Sequence, residues 1–271
     1  MELAVRLICF AAIFAVIAGW EFQNPRRKLA SSKFWRWFSN LSIVAINTLL
    51  VRLILPIAAY DMAFIARSHH WGILNQWDLP LWVSALLSVI ALDFAIYLQH
   101  VMFHAVPIFW RFHMMHHSDL DFDVTTGIRF HPIEILLSML IKMGVVTIIG
   151  APPIGVLLFE VLLNATSIFN HGNVALWPPL DKYLRLLVVT PEMHRVHHSV
   201  IAGETNSNFG FNFPWWDRLF ATYQAQPKFG HLRMTIGLHQ FRDSKKLTLP
   251  HLLALPFIGE TGEYPIHREA K

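Results

Sequence analysis

Histidine is the residue type in this sequence with the clearest chemical potential. The chain has 271 residues and 16 histidines, and nine of these lie in short motifs. The nine form an HxxxH pair, two HxxHH triplets and one Asn-His-Gly-Asn turn: His100 and His104; His113, His116 and His117; His194, His197 and His198; and His171. Imidazole is the commonest metal ligand in proteins and binds iron, zinc and copper well. The nine histidines therefore indicate a metal site.

The spacing within these motifs is typical of helices that present histidines to a metal. Residues three and four apart lie on one helical face, with Cβ atoms about 5–6 Å apart. Each HxxHH motif is therefore predicted to direct three imidazoles to one point. One tetrahedral zinc needs three or four ligands, whereas nine suit two ions. An HxxxH pair alone is a weak signal, but two copies of HxxHH are improbable by chance at this histidine frequency.

Long apolar stretches predict that the chain crosses a membrane several times. Hydrophobic residues make up 54% of the sequence and charged residues 15%, against about a quarter charged in a soluble domain. A bilayer-spanning helix requires about 20 mostly apolar residues. The candidate spans are 3–20, 41–66, 80–99, 133–150 and 153–170. We predict an all-α, multi-span membrane bundle of about four to five helices, with a helical cap that carries the histidine motifs.

The candidate spans also predict how the bundle is oriented. Proline disfavours helix at the residue before it, so Ala151-Pro152-Pro153 should separate two helices of a hairpin, either spanning or re-entrant. The first stretch is interpreted as a retained helix rather than a signal peptide. Basic residues concentrate in the 21–40 loop and the 171–271 tail. The positive-inside rule then places both, and all the histidine motifs, on the cytoplasmic side of a cell inner membrane or endoplasmic reticulum membrane.

Several other protein classes are excluded by composition. A single cysteine, Cys9, leaves no disulfide framework and no thiolate metal cluster. The net charge of +4 is too small to predict a nucleic-acid partner. Because no linker divides the chain, 1–271 is predicted to be one membrane domain, with a catalytic region at 80–223 and a C-terminal tail at 224–271.

The series of motifs resembles the fatty acid hydroxylase/sterol desaturase superfamily. The resemblance covers roughly residues 80–223 and includes the three histidine boxes, Arg129-Phe130-His131-Pro132, Asn208-Phe209-Gly210 and Trp216-Asp217-Arg218-Leu219-Phe220. It implies an integral membrane, non-haem di-iron oxygenase acting on lipids. The eight histidines of the boxes would be metal ligands. His171 matches the additional histidine that family members place between the second and third boxes.

The resemblance also implies a reaction and its partners. The enzyme would hydroxylate or desaturate an unactivated C–H position of a fatty acyl chain, sterol or related lipid, using O2 and two iron ions. Zinc is the other ion expected in isolated protein. The sequence has no His-Pro-Gly-Gly, GxGxxG or iron–sulfur motif, so a separate electron donor, cytochrome b5-like or ferredoxin with its reductase, is expected. The alternative is a membrane zinc-dependent lipid hydrolase, which would use about three histidines and an acid.

Polar residues near the motifs are expected to orient the histidines or to line a substrate tunnel. They are Asp93, Tyr97, Arg129, His131, Glu160 and Asn164. An acid inside a membrane span is costly and is a functional hypothesis by default, although hydrogen bonding between helices is an equal alternative. Lys142 is expected to neutralise Glu160.

The remaining acidic and histidine residues are given no role in the site. The acidic run that follows the first HxxHH motif, Asp119, Asp121 and Asp123, is expected to be solvated. Six histidines are predicted not to be ligands: His69, His70, His231, His239, His251 and His267.

Overall fold

The chain folds into a bundle of long helices with a cap of shorter helices at one end. A computed structural model describes residues 2–266. The helices are α1 (Glu2–Gln23), α2 (Lys33–Ile54), α3 (Ala59–Ser68), α4 (Leu81–Ala105), α5 (Pro107–His117), α6 (Pro132–Ile149), α7 (Pro153–Asn170), α8 (Pro178–Leu184), α9 (Pro191–His197), α10 (Ala202–Thr205), α11 (Trp215–Leu219), α12 (Gly230–Arg233) and α13 (Leu249–Ile258). His267 lies outside the described residues.

The long helices confirm the predicted all-α membrane bundle. Five segments of the described chain are long and apolar enough to cross a membrane: Glu2–Gln23, Lys33–Gln76, Leu81–Ala105, Pro132–Ile149 and Pro153–Asn170. The break between the last two falls at the predicted prolines, after Gly150 adopts a left-handed conformation with φ +71°. This chain is a multi-pass membrane protein.

The second span differs from the prediction of one continuous helix over 41–66. α2 begins earlier, at Lys33, and ends at Ile54, and α3 begins only at Ala59. Pro56 lies in the gap, and the residue before it, Leu55, is extended. Proline supplies no backbone donor and disfavours helical geometry at the preceding residue, so the helix ends there.

Two helices form the centre of the bundle. In the most apolar stretch of each span, 50% of the residues of α7 and 44% of those of α4 are buried, against 11–17% in the other three. Small residues let α4 and α7 approach closely: a Cβ at Gly155 of α7 would lie 3.0 Å from the Ser88 Cβ of α4. Close approach through small residues is a common way for helices to pack in membranes.

One end of the bundle supports the cap. Glu21, at the end of α1, accepts hydrogen bonds from the backbone N–H groups of Val124 and Asn173, both at 2.7 Å. At the same end, α4 and α7 finish and α2 and α6 begin, and α13 packs against α2 and α5. The histidine motifs therefore lie where the ends of five long helices meet the cap.

At the opposite end, two glycines are in close contact. Gly72 has φ +89°, and a Cβ there would lie 2.1 Å from the Gly150 backbone nitrogen. We expect Gly72→Ala to destabilise the protein by more than about 1 kcal/mol, because neither the backbone angle nor the space suits a side chain. Gly144→Ala is the matched control: a Cβ at Gly144 of α6 would have no other described residue within 4 Å, and alanine there should stabilise by about 0.5–1 kcal/mol. Thermal unfolding in detergent checks both, and an unchanged Tm for Gly72→Ala would contradict the close contact.

Candidate metal centre

The structure brings all nine motif histidines together in two buried groups. Within each group, one nitrogen of every ring lies within 4.8 Å of the others. The five-histidine group consists of His100, His104, His113, His117 and His197. The four-histidine group consists of His116, His171, His194 and His198. Their sizes are those expected for two ions of four or five protein ligands each.

Each HxxHH motif is divided between the two groups, so the prediction that its three imidazoles point to one place is wrong. On α5, His113 and His117 enter the five-histidine group and His116 enters the other. Residues four apart project in nearly the same direction, whereas successive residues diverge by about 100° on a helix of 3.6 residues per turn. The i,i+4 pair therefore serves one group and the residue between them serves the other.

The second HxxHH motif is divided in the same way, but here the i,i+4 pair enters the four-histidine group and the residue between them enters the five-histidine group. His194 of α9 and His198 at its C-terminal cap join the four-histidine group, while His197 joins the five-histidine group. The HxxxH pair of α4 contributes only to the five-histidine group, and His171, directly after α7, contributes only to the other. Both groups therefore draw on α5, α9 and one of the central helices.

The nitrogen atoms of these rings fit a bound cation. The Nε2 atoms of His171 and His194 lie 3.0 Å apart, and those of His100 and His113 lie 3.1 Å apart. Further ring nitrogens are buried without a hydrogen-bond partner among the described residues: Nε2 of His104, His117, His197 and His198. Leaving one buried polar atom unpaired costs about 1–3 kcal/mol, so a cluster of them indicates a site built for metal ions.

Burial keeps these imidazoles in the neutral form that binds metals. Desolvation, reinforced by the neighbouring histidines, lowers the pKa of five of the rings well below the ordinary value: His116, His117, His194, His197 and His198. Burial also lowers the pKa of His171 to about 3. A metal ion therefore does not have to displace protons from these rings near neutral pH.

Glu134 is a site residue that the sequence interpretation missed. It lies in the first turn of α6, is buried, and accepts a hydrogen bond from His113 Nδ1 at 2.6 Å. A carboxylate on one ring nitrogen fixes the tautomer and raises the basicity of the other nitrogen. The sequence could have indicated Glu134, because it is an acid within the apolar stretch 133–150. An acid in a membrane span is costly and suggests a function, which is the argument that selected Asp93.

We expect Glu134→Ala to weaken metal binding at the five-histidine group about 10- to 100-fold, as is typical when an outer hydrogen-bond partner is lost. Metal content after dialysis against a graded chelator series measures this change. Ser138→Ala is the matched control on the same helix, since the Ser138 hydroxyl bonds to Gln99 rather than to a histidine. Equal metal retention in Glu134→Ala and Ser138→Ala would contradict the role of Glu134.

Aromatic rings connect the histidines to the apolar interior of the bundle. Phe130 stacks on His116 with 4.4 Å between ring centroids, and Phe211 lies beside both His100 and His194. Phe130 and Phe211 also belong to the hydrophobic core formed by α3, α4, α6 and α7. Phe130 and Phe211 therefore link the two histidine groups to the apolar core of the bundle.

The acidic run after the first HxxHH motif is buried, so the prediction that it is solvated is wrong. Arg36 of α2 pairs with Asp119 at 2.8 Å and with Asp123 at 2.7 Å, while Asp121 accepts hydrogen bonds from the Ala30 and Ser31 backbone. Burial alone would raise the pKa of Asp119, but Arg36 and Arg129 hold it well below its usual range. The run thus fastens the segment before α2 to the end of α5.

Three of the residues predicted to orient the site lie in segments that support it. Arg129 donates to the Met115 carbonyl at 3.0 Å and to the Ser118 hydroxyl at 2.7 Å. Asp93 accepts from Asn212 N and Trp216 Nε1. The Tyr97 hydroxyl lies 3.0 Å from the Thr222 hydroxyl. These contacts hold the end of α5 and the segment after α10 in place.

The other three predicted residues make helix contacts in the described part of the chain. Glu160 pairs with Lys142 at 2.9 Å, as expected, and also with Arg6 at 3.2 Å, which was not expected. Asn164 donates to the Glu160 carbonyl one turn earlier in α7. His131 caps α6 by accepting from Ile133 N at 3.2 Å. Their contacts favour the alternative of hydrogen bonding within and between helices.

The histidines predicted to lie outside the site are dispersed. Four are exposed, namely His69, His70, His239 and His251. His231 is buried and lies 2.9 Å from Glu192, which also pairs with Arg26 and Arg195. Like His131, these five histidines of the described chain belong to neither group.

The fold and the site together define a multi-pass membrane protein with two clusters of buried imidazoles. Residues 85–222 match the family described as fatty acid hydroxylase. Because the match covers half of the chain, this protein belongs to the fatty acid hydroxylase family, whose members are iron-dependent oxidoreductases of lipids.

Several characterised proteins are similar in sequence. An ornithine lipid hydroxylase of Rhizobium tropici is 28% identical over 235 residues, covering 82% of this chain and 67% of the relative. The human alkylglycerol monooxygenase is 29% identical over 185 residues, covering 66% of this chain and 38% of the relative. A very-long-chain aldehyde decarbonylase of rice is 29% identical over 165 residues, covering 55% and 26%. The chain therefore spans about two thirds of the first relative and much less of the others. No solved structure matches the chain significantly.

Proposed function

We propose that this protein is a membrane di-iron enzyme that hydroxylates an unactivated C–H position of a lipid with O2. The observation that carries the proposal is the pair of buried histidine groups of five and four members at the end of an apolar bundle. Family membership and the hydroxylase and monooxygenase relatives support the same reaction class. They favour hydroxylation over desaturation as the first reaction to test.

Two iron ions, one in each group, would supply the O2-dependent oxidation of the C–H bond. Hydroxylation by O2 places one oxygen atom in the product and one in water, which consumes two electrons and two protons. The chain's own contribution is to hold the ions and to exclude water. Phe130, Phe211 and Phe122 pack against the histidine rings, and such packing excludes water and would favour an aliphatic chain beside the ions.

Electrons would come from a separate protein that binds the cap. The cap and the 24–33 segment carry many of the basic residues, which supports placing this end in the cytoplasm of a cell inner membrane or at the cytoplasmic face of the endoplasmic reticulum. A cytochrome b5-like protein, or a ferredoxin with its reductase, is the expected donor. The lipid substrate would enter from the bilayer.

The chain is proposed to act as one domain over 1–271, with its catalytic region at 80–223. The 224–271 tail packs on that region in its described part: Leu252 and Leu255 lie in one buried cluster with Trp110 and Met114 of α5. The tail therefore covers the helix that carries the first HxxHH motif.

The alternative function, zinc-dependent lipid hydrolysis, is less well supported. A hydrolase of this kind needs about three histidines, an acid and one open position on a single zinc ion. It leaves the second group of histidines without a purpose. The lipid oxygenase relatives also favour oxidation over hydrolysis.

Lipid analysis of cells under isotopically heavy O2 tests the proposal. Cells that express the wild-type chain should accumulate a lipid carrying heavy oxygen in a new hydroxyl group, and cells with His116→Ala should not. His239→Ala, which changes an exposed histidine, is the matched control and should behave as wild type. Heavy-oxygen product in His116→Ala, or only hydrolysed lipids in wild type, would overturn the proposal.

A further inference from the structure

One short segment of the cap touches three members of the five-histidine group. Between α10 and α11, residues 206–209 supply hydrogen-bond acceptors for three ring nitrogens. The Nδ1 atoms of His104, His197 and His100 donate respectively to Asn206 Oδ1 at 3.0 Å, to the Ser207 carbonyl at 2.7 Å and to the Phe209 carbonyl at 2.8 Å. We call residues 206–209 the orienting segment. With Nδ1 protonated, each of these rings presents Nε2 to a metal.

Asp217 at the middle of α11 holds the orienting segment in place. Its carboxylate is fully buried and accepts the backbone N–H groups of Phe209 and Gly210, both at 2.8 Å, and the Thr222 hydroxyl at 2.7 Å. The approach is close, since a Cβ at Gly210 would lie 2.7 Å from the Asp217 carboxylate. Asp217 contacts none of the nine histidines itself, but it fixes the Phe209 peptide whose carbonyl accepts from His100.

Asn208 fixes the same segment from the other side. It adopts a left-handed backbone conformation with φ +51°, and its side-chain amide donates to the Met193 and Gln224 carbonyls at 2.9 and 2.8 Å. Met193 directly precedes His194 in α9. The orienting segment is therefore attached to the helix of the third histidine box as well as to α11.

The four-histidine group has much less support of this kind. His171 Nδ1 donates to the Ser167 carbonyl at 2.7 Å. The Nδ1 atoms of the other three members, His116, His194 and His198, are buried with no hydrogen-bond partner in the described part of the chain. These three rings therefore have no acceptor among the described residues outside the group to orient them, although the Nε2 atoms of His116 and His194 lie 3.3 and 3.0 Å from His171 Nε2.

We propose that Asp217 is a positioning residue for the five-histidine group, acting through the orienting segment, and that the two groups consequently hold their metal ions unequally. Pre-oriented ligands lose less freedom when they bind, so the five-histidine group retains its ion more strongly. The inference rests on the proposed two-metal centre. It adds that the five-histidine group binds its metal ion more strongly, and that Asp217, which is not a ligand, is responsible.

Chelator competition on the full-length protein in detergent tests the inference without relying on turnover. The apoprotein is loaded with Zn2+, and its release to a coloured chelator is followed over time. Wild type should release two ions per chain in a fast and a slow phase of equal amplitude. Asp217→Asn, which keeps the shape but loses one acceptor, should speed the slow phase about 10- to 100-fold and leave the fast phase unchanged.

Three further variants separate positioning from general stability. Asp181→Asn is the matched control, because Asp181 is also a buried acid of the cap but contacts Thr190 and Arg185 rather than the orienting segment; its slow phase should be that of wild type. Asn206→Ala removes the His104 acceptor together with a donor to the Tyr264 carbonyl, and should also speed the slow phase. Asn206→Asp loses that donor but keeps an acceptor oxygen for His104, so it should restore the slow phase.

The outcomes distinguish the inference from the function on which it rests. If Asp217→Asn and Asp181→Asn change both phases alike, or if Asn206→Ala changes neither, Asp217 has only a structural role and the inference is overturned. If wild type binds fewer than two ions per chain, the two-metal centre fails, and the inference fails with it. If wild type releases two ions in a single phase, the two-metal centre stands, but the inference that the two groups retain their ions unequally is overturned.

Discussion

His197→Ala and His116→Ala should each abolish lipid oxidation and lower the iron content while the protein still inserts into the membrane. His197 belongs to the five-histidine group and His116 to the four-histidine group, so each variant damages one metal position. Loss of an outer hydrogen-bond partner of a ligand commonly costs 10- to 100-fold in metal affinity or activity. Loss of a ligand should cost more, and we expect activity to fall by more than about 100-fold.

The measurement combines product analysis with iron determination on the purified protein. His251→Ala provides a control at an exposed histidine outside both groups. Both ligand variants should keep the wild-type amount of membrane-inserted protein, because each change removes one imidazole at the cap and leaves the apolar faces of the spanning helices intact. Full activity in either ligand variant would refute the assignment of that residue.

The second large effect concerns Arg36. The guanidinium of this residue makes two hydrogen bonds to Asp119 and one to Asp123, and all three side chains are buried. Arg36→Met removes the nearest cation of two buried carboxylates and leaves Asp119 with Arg129 at 3.8 Å; breaking a buried ion pair in this way typically costs about 3–5 kcal/mol. Total stabilities of about 5–15 kcal/mol are usual, so the variant should unfold at a much lower temperature.

Thermal unfolding in detergent measures this loss, and two variants in the same region calibrate it. Arg36→Lys keeps the charge but lacks the planar fork that suits a carboxylate, so its Tm should lie between those of wild type and Arg36→Met. Lys28→Ala changes an exposed cation in the segment before α2 and should have little effect. A Tm for Arg36→Met within the range of Lys28→Ala would disprove the structural role of the ion-pair cluster.

Most of the membrane architecture could be predicted because apolar length is visible in a sequence. The stretches around α1, α4, α6 and α7 have the required length and composition, and the prolines at 152 and 153 mark a turn. The break at Pro56 was missed because the residues immediately around it, 53–60, are apolar. A hydropathy argument measures whether a segment is apolar, and it does not detect where a helix ends.

The candidate site was predictable at the level of residue type but not of arrangement. The nine histidines could be selected from spacing, whereas their division into two groups depends on how α4, α5, α7 and α9 meet in space. The burial of Asp119 likewise depends on Arg36, which lies 83 residues earlier in the chain. The orienting segment acts largely through backbone carbonyls, which every residue possesses, so residue identity gives no signal for it.

The division of each HxxHH motif between the two groups has a consequence for the distance between the groups. His113, His116 and His117 belong to one rigid helix, and His194 and His197 belong to another. The geometry of an α-helix, rather than the length of any loop, therefore sets this distance. Two helices, α5 and α9, set it independently. Loops around the cap can lengthen or shorten without changing the distance between the groups. A residue inserted inside either motif would instead turn the histidines after it by about 100° relative to those before it, so one of the two groups would lose a member.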